Sequence, residues 1–173
     1  MPARSTEALL LLARVRAGEA RDAKDAILDH WPTHASPFTA VGGTHLARLQ
    51  VLAPPARSRR RAPGEHLLLA ADVDAPLDAW IERLRTAAAG PLDAVLGHCA
   101  FYPGAAEPAA FARWVAANRL SIGFSVIGSP GATLAEVGAA LDLRAEIGAF
   151  AEAGQQMTPS ALHAAWRAWR GAA

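Results

Sequence analysis

"LDAVLGHCAFY", residues 92–102, is the stretch whose reading decides the fold. It is short, apolar and closed by a Tyr-Pro-Gly turn at 102–104, which predicts a strand. Upstream of it, "DAPLDAWIERL" predicts a helix: Asp74 can cap it, Pro76 suits its first turn, and Leu77, Trp80, Ile81 and Leu84 share one face. Gly90 is the expected stop.

Further back, "GGTHLARLQVL" (42–52) and "EHLLLAADVD" (65–74) alternate with the period of two of a strand that has distinct faces. The loop between them carries "RSRRR", Arg57–Arg61, flanked by prolines, and reads as a solvated hairpin connection. "EALLLLARVR" (7–16) is the first predicted strand. Ala20, Ala23, Ile27 and Trp31 then stand at helical spacing before Pro32. The order is βαββαβ, the ferredoxin-like unit, in which helices cover one face of an antiparallel sheet.

The rest predicts a helix near 107–118, a short strand "SIGFSVIG" at 121–128, and a helix opened by Thr133 with Glu136 three residues on. A last helix has Thr158 as cap, Pro159 at its first position, and Leu162, Trp166 and Trp169 as its stripe. The expected organisation is one α+β domain over 1–173. It comprises a ferredoxin-like unit at 7–102, a helix-strand-helix extension at 103–154 and a terminal helix at 155–173.

Composition narrows the function classes. Apolar residues make up 52% of the 173 positions, and no apolar run reaches the roughly 20 residues of a membrane span. No signal segment is evident, so a cytoplasmic location is expected. The single cysteine, Cys99, excludes an internal disulfide or a multi-thiolate zinc site. A net charge of +1 provides no field for nucleic acid or an acidic membrane.

Strand parity sorts the side chains that could do chemistry. Leu9, Leu11, Ala13 and Val15 belong to the layer under the helices, with His45, Ala47, Leu49 and Val51 and with Leu67, Leu69, Ala71 and Val73. The other face carries Leu10, Leu12, Arg14, Leu46, Arg48, Gln50, His66, Leu68, Ala70 and Asp72. Such a mixture suits a partner sheet supplied by a homodimer, with a small-ligand cavity between the sheets. On it, His66, Arg48 and Asp72 can be read as base, anion clamp and orienting carboxylate, or as a surface network.

"GTHLARLQVL", "PLDAVLGHCAFYPG" and "FSVIGSPGATLAEV" resemble stretches of uncharacterised bacterial domains with a Thr-His-x-Ala-Arg strand and a His-Cys-x-x-Tyr-Pro turn. The topology resembles the dimeric α+β barrel superfamily, which includes small monooxygenases, chlorite-dismutase-like proteins and dye-decolourising peroxidases. The resemblance spans about residues 7–150. It implies a homodimer, allows haem as cofactor and, for an enzyme, implies an oxidoreductase of peroxidase or monooxygenase type. The narrower relatives carry glutamate and glycine inside the cysteine-tyrosine interval, where this chain has Ala100 and Phe101.

His98, near a predicted strand end, is the haem-ligand candidate, set against a hydrogen-bonded structural histidine. Tyr102 either donates into a pocket or packs its ring, and Cys99 reads as a buried small hydrophobe. His45 falls in the apolar layer by parity. His30 and His34 flank a loop, His163 is on an exposed helix, and no histidine has the spacing of a zinc site. The functional expectation is a small-ligand-binding protein. The alternative is a noncatalytic interaction domain whose open sheet face and Trp/Arg tail dock a protein partner.

Overall fold

The alternation of large apolar residues is realised in three strands of nine residues: β1 (Thr6–Arg14), β2 (Thr44–Leu52) and β3 (His66–Asp74). They form one antiparallel sheet in the order β1-β3-β2, with Leu11 opposite Leu69 and Leu49 opposite Leu69. The computed structural model describes residues 6–31, 36–53, 64–123 and 131–172. They fall into two compact units, Met1–Leu134 and Ala135–Ala173.

In the first unit the parity-selected series is the one that is buried. Leu9, Leu11, Ala13, Val15, Leu67, Leu69, Ala71 and Val73 join the core, with Ala47, Leu49 and Val51 partly buried beside them. The covering helices are α1 (Ala20–His30), the short α2 (Pro37–Val41), α3 (Leu77–Ala87), α4 (Ala89–Leu96) and α5 (Pro108–Asn118). Trp80 of α3 is completely buried, and its indole N–H donates to the Thr44 hydroxyl at 2.9 Å. The N-terminus of α3 is held by Glu7, whose carboxylate accepts from the Leu77 N–H at 3.1 Å. A carboxylate at that position complements the positive end of the helix dipole.

The predicted fourth strand is a correction. Residues 89–96 are helix α4, and Leu92, Val95, Leu96 and Cys99 are buried at spacings of three, four and seven. That is a helical face, and so short a stretch hides it because it spans only about two turns. The stop expected at Gly90 is displaced accordingly: α3 ends at Ala87, and Gly90 lies in the first turn of α4. The free edge of β1 is met instead by single bridges, Val15 to Cys99 and Leu11 to Arg119, with the Leu120 N–H donating to the Leu10 carbonyl. The chain is therefore α+β with a three-stranded sheet among the described residues.

The second unit holds all but the first residue of α6 (Leu134–Gly154), together with α7 (Pro159–Ala172). The Thr158 hydroxyl accepts from the Ala161 N–H, the cap expected from sequence. Most of the "SIGFSVIG" stretch, the Arg57–Arg61 loop and His34 lie outside the described residues. No described helix is long and apolar enough to cross a membrane.

Candidate functional site

Cross-strand register lays out the open sheet face in four rows: Ala8-Asp72-Leu46, Leu10-Ala70-Arg48, Leu12-Leu68-Gln50 and Arg14-His66-Leu52. Its centre is aliphatic, with Leu46 63% exposed at one edge. Arg48 and Asp72 are diagonal neighbours, about 7–8 Å apart by sheet geometry, and no ion pair joins them among the described residues. His66 is six residues from Asp72 on the same strand, about 20 Å at the rise of an extended chain. The face therefore brings together the clamp and the carboxylate but not the base, so the three residues make no general acid-base constellation.

His45 departs from the parity expected of it. Thr44 faces Val73 and Leu46 faces Asp72, so His45 is the extra residue of a β-bulge. The bulge directs its ring to Asp74, with Nε2 2.8 Å from Oδ1, at the end of the sheet. Gly43 makes this possible. Its φ is +66°, and a Cβ there would lie 2.9 Å from the Asp74 carboxylate oxygen. The close approach that Gly43 permits is to the chain's own Asp74.

The "GHCAFYPG" residues separate into different tasks. His98 Nδ1 lies 3.0 Å from Glu19 Oε2, a geometry in which the ring N–H donates, and Arg16 donates to the same oxygen at 2.8 Å. Arg16 also donates to the Gly97 carbonyl, so this knot ties the start of α1 to the end of α4. The His98 and Arg16 hydrogen bonds hold the Glu19 carboxyl below its ordinary value. Cys99 is 1% exposed, and burial pushes its thiol up to about 12, so it is a core residue and not a nucleophile at neutral pH. Tyr102 donates to Asp93 at 2.8 Å, and its ring meets Trp114 edge-on at 5.1 Å. Burial, then the hydrogen bond to Asp93, drives its hydroxyl well above the ordinary phenol value.

A haem would need an axial donor and an apolar slot beside it. His98 provides a donor oriented by a carboxylate, as ligating histidines commonly are. Its ring is largely buried, 24% exposed, with Nδ1 held by Glu19. Among the described residues, no three His, Cys, Asp or Glu side chains are grouped to hold a metal ion.

One concavity was not foreseen from sequence. It lies between α3 and α5 and encloses about 700 Å³, over a floor of Ile81, Phe111 and Val115. Asp78 and Glu82 stand on the α3 side and Arg119 at the end of α5. Glu82 is engaged by Arg85, which leaves Asp78 and Arg119 as the groove's charged contacts without a described ion-pair partner. The signal was present as Asp78 and Glu82 at i and i+4, but no pattern in the sequence shows that α5 lies alongside. No family model, curated protein or solved structure matches the chain.

Proposed function

We propose that the protein binds a small organic ligand in the groove between α3 and α5, and that this site recognises rather than transforms it. The groove itself carries the reading. Its volume is in the range of small-molecule sites, and it has an apolar floor with few polar groups to fix orientation. Arg119 would take an anionic group and Ile81, Phe111 and Val115 an aliphatic or aromatic body, so the ligand class is an amphipathic carboxylate. Decanoate is a suitable probe in calorimetric titration. Arg119→Glu should abolish binding, Val115→Trp should do so by filling the floor, and Leu46→Glu on the sheet should leave it unchanged. Binding indifferent to both groove variants would remove the proposal.

The sheet supports a second element of the same reading, a homodimer of the dimeric α+β barrel type. The order β1-β3-β2 is that of a ferredoxin-like unit without its last strand, and the exposed Leu46 lies on a face rich in leucine. A second copy's sheet would cover that face, with Arg48 of each copy near Asp72 of the other. Sedimentation of wild type and Leu46→Glu tests it: equal masses would refute pairing through this face.

A further inference from the structure

The groove between α3 and α5 has two ends that differ in kind. Arg85, in the last turn of α3, donates to the Ala105 carbonyl at 2.7 Å, shortly before α5 begins at Pro108. The end of α3 is thus beside the start of α5, and along the groove the two helices run antiparallel. Asp78, in the first turn of α3, and Arg119, directly after Asn118, therefore stand at the same end. Val115 and then Phe111 recede from Arg119 at steps of four residues along α5. The buried apolar floor accordingly extends about 12 Å from Arg119 at the helical rise.

Charge follows the same division. Glu82, one turn along from Asp78, is engaged by Arg85, whose Nε donates to it at 2.8 Å. Asp78 and Arg119 are exposed, both line the groove, and neither makes an ion pair among the described residues. A plain carboxylate drawn to Arg119 meets repulsion from Asp78 at the same end. A head group that carries both charges, with its carboxylate on Arg119 and an ammonium on Asp78, gains from each.

We propose that the ligand of this groove is an α-amino acid with a long apolar side chain. The proposal rests on the reading of the groove as a small-ligand site, and it narrows the ligand from carboxylates at large to zwitterions. Arg119 takes the carboxylate, Asp78 takes the ammonium, and the side chain lies over Ile81 and Val115 towards Phe111. An apolar floor with a few polar groups gathered at one end is how such sites fix a ligand's orientation.

Calorimetric titration of the full chain with decanoate and with 2-aminodecanoate, which differs only in its α-ammonium, tests it. Wild type should bind the amino acid about fivefold more tightly, the size of one exposed ion pair. Asp78→Asn should weaken the amino acid by about the same factor and tighten decanoate, because it removes an attraction from one and a repulsion from the other. A disturbed groove would lose affinity for both, so the opposite signs identify the charge. Arg119→Gln should weaken both ligands. Decanoate binding that equals or exceeds that of the amino acid would overturn the amino-acid assignment and leave the carboxylate reading in place. An Asp78→Asn change of the same sign for both ligands would do the same. Binding of neither ligand would remove both proposals.

Discussion

At the residue scale, two polar groups show how the interior treats charge and hydrogen bonding. Thr6 is 1% exposed, and its hydroxyl is the one buried side-chain polar atom among the described residues without a partner. An unmet buried hydroxyl forfeits its hydration with no return, whereas valine has nearly the same shape and no such need. Thr6→Val should therefore stabilise the protein by about 1 kcal/mol in urea unfolding, and a loss of that size would show that the hydroxyl is satisfied. Glu19 is the opposite case, since His98 and Arg16 stabilise its charged form and hold its carboxyl below the ordinary 4.5. A lowered carboxyl contributes stability that is complete above its unfolded value and is lost as pH falls through the folded one. Glu19→Gln should flatten the acid limb of the stability profile below pH 4.5. An acid limb as steep as that of wild type would place the knot's contribution elsewhere.

At the element scale, the turn from α4 into Cys99 leaves no room for a side chain at Gly97. Gly97 closes α4, and a Cβ there would meet the Asp93 carbonyl at 2.4 Å, closer than backbone can tolerate. Gly97→Ala should cost about 1–3 kcal/mol, as overpacking against a fixed neighbour does, and should loosen the Arg16-Glu19-His98 knot beside it. An alanine variant with an unchanged denaturation midpoint would mean that the turn relaxes freely. The same stretch shows what a sequence conveys and what it withholds. Strand β2 was legible from its alternation of apolar and polar residues, β3 from the series Leu67, Leu69, Ala71 and Val73, β1 only as a short leucine-rich run at the start of the order, and α3 and α7 because their aromatic and leucine positions recur at helical spacing. Residues 92–99 are too few for either period to stand out, and only the packing of Leu92, Val95 and Leu96 selects the helix. The bulge at His45 was hidden for another reason: one inserted residue inverts parity without altering composition. For the candidate site, the shared face of Arg48 and Asp72 was readable from parity. The groove under Arg119 was not, because it depends on which helices become neighbours.

At the scale of the whole molecule, the sheet face carries the proposed homodimer, because a second copy's sheet would cover its exposed leucines. Wild type should sediment at twice the chain mass of 18.1 kDa, and Leu46→Glu, which sets a charge in the seam, at the chain mass itself. The character of the face fixes its response to salt. Pairing through leucine should hold or strengthen in sodium sulfate, which favours apolar burial. Any help from Arg48 and Asp72 across the seam is screened as the Debye length falls from about 10 Å at 0.1 M salt to about 3 Å at 1 M. A wild-type dimer that persists in 1 M sodium chloride and separates on Leu46→Glu would place the pairing on the leucines, and one that dissociates in salt would place it on charge instead.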